Sequence, residues 1–141
     1  MPAPLVLLTA ALLAAPTLEG DAKAWAPVLE DPAVVVELDT TRVAGYQEGP
    51  VTAWLRWHFA ERVASPQAWD EGVRTTLDYM EVDCVSGRVR TFSSMAYAAS
   101  GDLVEAASYD NPVAPWHTPS PETVGAIVAR SVCAAAPRAT P

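Results

Sequence analysis

Val51–Phe59 reads VTAWLRWHF. In an extended chain successive side chains point to opposite faces, so Val51, Ala53, Leu55, Trp57 and Phe59 share one side. Thr52, Trp54, Arg56 and His58 share the other. The first row is apolar and predicts burial; the second mixes indole, guanidinium and imidazole. A helix would scatter these residues around its axis, so the stretch is a strand of a sheet with one buried face.

The neighbours on either side follow the same period. Ala33–Thr41 (AVVVELDTT) is a β-branched run, and Trp25–Pro32 before it reads as a short lead-in. Gly45–Pro50 (GYQEGP) has the composition of a turn. Downstream, Ala64–Gly72 is a polar connection carrying Trp69, and Thr75–Val85 is a second strand with Thr76, Asp78, Met80, Val82 and Cys84 on one side. Ser86 and Gly87 form a tight-turn pair, which predicts an antiparallel hairpin with Arg88–Ser100. Gly101 and Asp102 mark the next turn, and Leu103–Tyr109 the next strand. Neighbours in sequence should pair in space, giving an antiparallel meander.

The pattern changes at Asn111–Pro121, where four prolines exclude regular helix or a central strand. Ser120 then reads as a helix N-cap, with Pro121 at the first helical position and Glu122 in the first turn. Val124, Ile127, Val128 and Val132 fall on one helical face, with Cys133 off it. Residues 135–141 read as a disordered tail. The fold class is therefore α+β, a meandering antiparallel sheet with one C-terminal helix.

The 141 residues allow one ordinary domain, and half of them are hydrophobic, which suffices for a packed core. The formal net charge is −8, with no cluster of lysine or arginine, so the electrostatics give no reason to bind nucleic acid. Leu5–Ala15 (LVLLTAALLAA) is too short to span a bilayer and suits the apolar core of a secretory signal peptide. The preceding MPAP supplies only its terminal amine as positive charge. The expected signal covers residues 1–22, with cleavage before Lys23 or, alternatively, before Trp25. No cysteine precedes Cys84, so the mature chain would carry no lipid on a leading cysteine and no stable membrane anchor. The localisation expected is periplasmic or secreted.

Cys84 and Cys133 are the two cysteines. In an oxidising compartment such a pair is most simply a disulfide; two buried free thiols are the alternative. With His58 and His117 they show no short ligand spacing, so neither metal nor cofactor is expected. The histidines lack local carboxylate partners, and no nucleophile motif occurs, so the reading is not an enzyme. The acid pairs Asp70/Glu71 and Glu81/Asp83 read as solvated. The polar row Trp54, Arg56 and His58 is the candidate partner-binding patch, because Trp and Arg are over-represented where binding energy concentrates. The competing reading packs Trp54 under the Trp69 loop or under the helix.

These parts come in a distinctive order. Trp25 precedes VVVELDTTRV (34–43), then TAWLRWHF (52–59), TTLDYMEVDC (75–84), RVRTFSSMAYAASGDLV (88–104), PWHTPSPETV (115–124) and a helix closing on Val132 and Cys133. In this the chain resembles the surface-adhesin protein E family of small exported bacterial domains, over roughly 25–134. The motif departs from the family pattern at Pro119-Ser120-Pro121, where a Pro-Gly-Ser type of turn is expected. The resemblance implies a curved sheet of about six strands, a C-terminal helix on its concave face and a disulfide from helix to sheet. It also implies adhesion, the recognition of host matrix or serum proteins. The two functions carried forward are an exported binding domain, for such proteins or an envelope component, and a structural or accessory periplasmic protein without a host ligand.

Overall fold

The computed structural model describes residues 24–64, 72–109 and 113–141. The expected signal peptide, Trp69 and the Asp70/Glu71 pair lie outside them. Seven strands precede one helix: β1 (Trp25–Glu30), β2 (Val34–Asp39), β3 (Ala44–Gly45), β4 (Pro50–Val63), β5 (Val73–Asp83), β6 (Arg88–Tyr97), β7 (Leu103–Ser108) and α1 (Val124–Ala135). They form one antiparallel sheet in the order β1-β2-β4-β5-β6-β7, with the two-residue β3 hydrogen-bonded to β4 off that path. The meander expected from turn signals is the observed topology.

Register explains why one face is buried. Leu38 pairs with Leu55, Val51 with Val82 and Ala53 with Met80, so their side chains rise together on one side. There α1 lays Val128, Ala129 and Val132 onto them, and Val36, Val51, Leu55, Val82 and Val132 lose all solvent contact. Cys84 ends the β5 row on that side and is bonded to Cys133 of α1, with the two Cα atoms 5.7 Å apart. The bridge closes a loop of 49 residues of separation. That removes about 4 kcal/mol of conformational freedom from the unfolded chain in the loop-entropy picture.

Four expectations are corrected. Trp25–Pro32 is no mere lead-in, because Trp25–Glu30 is an edge strand. Its Pro27 is tolerable there, since an edge residue can lack a ladder N–H, and the register slips between Pro27 and Leu29. The helix begins later than Ser120, with Thr123 as N-cap accepting from the Ala126 amide at 3.3 Å. The Ser120 carbonyl instead accepts from the Thr123 hydroxyl at 2.6 Å. Glu122 falls outside the first turn and takes φ 70°, a left-handed conformation that costs a side-chain-bearing residue about 1 kcal/mol.

The chain end is the fourth. Ala135 closes the helix and Ala136 is buried. The Gln47 side-chain amide donates to the Ala136 carbonyl at 2.9 Å, its backbone N–H donates to Pro137 at 3.0 Å, and the Ala139 N–H donates to Glu48 Oε2 at 2.9 Å. The segment read as a loose tail is stitched to the turn before β4. That turn needs Gly45, because at φ 115° a Cβ there would run into the Pro50 carbonyl.

Candidate recognition face of the sheet

Trp54, Arg56 and His58 alternate with the core row of β4 and therefore project from the face opposite α1. Trp54 lies under neither the helix nor any described loop; it stacks on Tyr79 of β5, its cross-strand partner, with ring centroids 5.1 Å apart. Tyr79 in turn meets Phe92 of β6 at 5.6 Å. A register slip between Tyr79 and Met80 leaves Phe92 as the extra residue of a bulge, which re-aims its ring onto Tyr79.

Beyond Phe92 the row continues with guanidinium groups. Arg90 lies 4.8 Å over the Phe92 ring and 4.4 Å over Trp116, and Arg88 lies 5.1 Å over the Trp116 ring as well. Trp116 is held there because its neighbour His117 exchanges two backbone hydrogen bonds with Val89, at 2.8 and 2.9 Å. Arg90 is buried and bonds Glu81 Oε1 through two nitrogens, at 2.8 and 3.1 Å. Glu81 and Asp83, expected to be solvated, are only partly exposed and paired. Asp83 accepts from the Ser86 hydroxyl at 2.7 Å and from Arg88 at 3.4 Å. The Ser86 hydrogen bonds hold its carboxyl below the usual range.

The opposite end of the face is built around Glu37. Its Oε2 accepts from Arg56 Nε at 2.7 Å and lies 2.9 Å from His58 Nε2, while His58 Nδ1 is 3.3 Å from the Thr75 hydroxyl. Arg56 is itself buried, its guanidinium 4.4 Å over the Trp25 ring. Burial alone would raise the Glu37 pKa; the hydrogen bonds and charges of Arg56 and His58 outweigh that and hold it below the ordinary carboxylate value. Of the three residues singled out in β4, only His58 keeps a side chain well open to solvent, at 43%. Trp54 is half-buried and Arg56 is a structural link.

The structure therefore brings the three together but embeds them in a larger assembly. From Trp25 at one edge to Trp116 at the other, this face is tiled by rings stacked on rings or beneath guanidinium groups. Trp25, Tyr79, Phe92, Arg90 and Trp116 are the members that sequence reasoning did not join to it. The only local signal is the alternation of Arg88, Arg90 and Phe92, which places three large side chains on one side of a strand.

The surface-adhesin protein E family model matches residues 25–134. The chain belongs to that family. Its fold is similar to two solved structures of Haemophilus influenzae protein E. One has a TM-score of 0.55 at 14% identity, covering 91% of this chain and 96% of that one. The other, from a non-typeable strain, has a TM-score of 0.52 at 12% identity, with 86% and 82% covered. No curated protein matches in sequence. At such identities the likeness speaks for the sheet, the helix and their order; side-chain roles do not transfer. Family membership supports an adhesin-like, exported protein. No described helix is long and apolar enough to cross a membrane, and no cluster of three metal-ligating side chains occurs among the described residues.

Proposed function

We propose that this adhesin E domain is an exported, non-enzymatic recognition module, periplasmic or released after removal of residues 1–22. It binds a protein partner, a host matrix or serum protein or an envelope component, through the face opposite α1. The observation that carries this reading is the aromatic and arginine row itself. A sheet face with nothing packed on it is ordinarily covered by small polar and charged side chains. Among the described residues nothing packs on this one, yet it presents Trp54, Tyr79, Phe92 and Trp116, each partly exposed, beside the open imidazole of His58. Aromatic and arginine side chains are what interfaces concentrate.

A second reading has its own observation. Every ring in the row already faces another ring or a guanidinium, and Arg56, Arg88 and Arg90 are each paired with a carboxylate. Such a layer can serve to close the sheet, in an accessory envelope protein that binds no host factor. A solid-phase binding series against matrix, serum and envelope proteins separates the two. Saturable binding that a Trp54→Ala, Tyr79→Ala double variant loses, with its circular dichroism unchanged, supports the recognition module. Full retention by that folded variant would assign the row to structure. Binding that disappears above about 0.15 M salt would be screened surface charge and count against recognition.

A further inference from the structure

Beside Val128 and Val132, α1 carries only the short side chains of Ala126 and Ala129. Between them, β5 and the chain that leads into the helix, a cavity of about 310 Å³ stays open. Buried Val82, Ala126 and Ala129 supply its floor; the Cys84–Cys133 bridge, Pro119 and Pro121 extend the apolar lining towards solvent. The cavity sits at the end of the sheet where Pro50 pairs with Asp83, and Val63 and Val73 mark the opposite end. None of the residues flanking the undescribed stretches, Ala24, Ala64, Gly72, Tyr109 and Val113, lines it.

The segment that departs from the family pattern, Pro119-Ser120-Pro121, thus has a place: its two prolines wall this cavity. It is held firmly. His117 before it exchanges two backbone hydrogen bonds with Val89, and the Thr123 hydroxyl after it donates to the Ser120 carbonyl at 2.6 Å. Glu122 keeps its left-handed conformation in this stretch although it is exposed. Backbone strain of that kind persists where the surroundings enforce it, and it clusters at ligand-binding segments.

Arg130 brings the one charge to the lining, and no carboxylate lines the cavity. Arg42, Arg56, Arg88 and Arg90 are each paired with an acid. Arg130 is exposed and makes no ion pair or hydrogen bond among the described residues. The backbone around the cavity, by contrast, is already committed. Val82 pairs with Val51 on one side and with Val89 on the other, and Val89 also bonds His117. An extended peptide would find few free backbone partners there, whereas an acyl body needs none.

We infer that this cavity is a small-molecule site, independent of the aromatic row, for a free monocarboxylic acid with a medium-length apolar body. The body covers the disulfide and the proline walls, which otherwise face water, and the carboxylate pairs with Arg130 at the mouth. With a net charge of −8 the protein repels anions at long range, so a preference for the acid over its neutral counterpart has to arise from a cation at the site.

The probe is sodium octanoate, titrated at pH 7 into the purified, disulfide-bonded protein and followed by backbone amide NMR. Saturable shifts centred on Val82, Ala129 and Arg130 are expected, with a Kd of about 1 mM or below. Octanol should bind about fivefold more weakly, the share of an exposed charge pair. Arg130→Gln should erase that difference and leave octanol binding unchanged. Ala126→Leu should block both ligands by filling the cavity; if it displaces the helix, the Arg130 variant still decides. The peptide acetyl-Gly-Gly-Leu-Leu, with a free terminal carboxylate, tests the other source of the same chemistry and should bind more weakly than octanoate. Four outcomes would overturn the inference: no saturable shifts up to about 10 mM octanoate, octanol binding as tightly as octanoate, shifts centred on Trp54 and Tyr79 instead, or tighter binding of the peptide. The last would make the chain terminus of a partner protein the occupant.

Discussion

The two faces of this sheet bury their side chains by different chemistry. On the helix side, aliphatic residues paired across β2, β4 and β5 meet Val128 and Val132 and become fully dry. On the other side no second layer occurs among the described residues. Long amphipathic side chains lie over one another instead, with arginines over indole and phenyl rings and their charges answered by Glu37, Glu81 and Asp83. The first solution draws stability from area removed from water. The second draws it from stacked contacts and paired charges, whose removal leaves a partner stranded. One strand, β4, serves both by alternation.

The largest test falls on what fixes the helix in place. Replacing Cys84 and Cys133 together by alanine should cost about 4 kcal/mol, read as a drop in the midpoint of denaturant unfolding. A loss under 1 kcal/mol would mean that side-chain packing alone holds α1. Next comes the dry face itself. Leu55→Ala, in the centre and fully buried, should cost about 3 kcal/mol, insensitive to salt.

On the other face the comparable change is Arg90→Leu. It keeps the bulk but leaves Glu81 without its two bonds, and about 2 kcal/mol should be lost at neutral pH. Changing Glu81→Leu as well should restore part of that loss, because the stranded carboxylate is then gone. If the double variant is no better than the single one, stacking on Phe92 and Trp116 carries the stability, and the ion pair adds little.

How far each face was legible in the sequence follows from the same contrast. The dry face depends on period-two alternation and turn residues, which are local, so Val51–Phe59, Thr75–Cys84 and the helix could be read directly. The pairing of Cys84 with Cys133 needed only two cysteines and an oxidising compartment. The aromatic row depends on register. Trp54 meets Tyr79, and Phe92 meets both Tyr79 and Arg90, because β4, β5 and β6 align residue by residue and a bulge adjusts the last of them. Nothing local in the sequence specifies that. Trp25–Glu30 gives no clear strand signal, because Pro27 fits a strand only at a sheet edge. Thr123 lost the N-cap to Ser120 on paper because Pro121 looked like a first helical residue. The ordered chain end has no local signal, because Ala136 is held by Gln47, far away in sequence.

The finest contrast lies between two carboxyls, Glu37 on the row and Asp78 on the helix side, which are shifted in opposite directions. Glu37 is held below its ordinary value of 4.5, so its contribution is present above that pH and is lost as pH falls through the lower folded-state value. Glu37→Gln should therefore cost stability at pH 7 and nothing in acid below that window. Asp78 is raised above 3.8 by burial, so the native state holds its proton more tightly than the unfolded chain does. Its contribution is present below 3.8 and is lost as pH rises through the folded-state value. Asp78→Asn, which still accepts from Ser94, should then stabilise the protein at pH 7 and leave it unchanged at pH 3. Urea midpoints measured across that range give two curves of opposite slope if the faces differ as described. Parallel slopes would mean that the hydrogen bonds from Ser94 and Trp57 outweigh the burial of Asp78, and the two faces would not differ in how they hold a carboxylate.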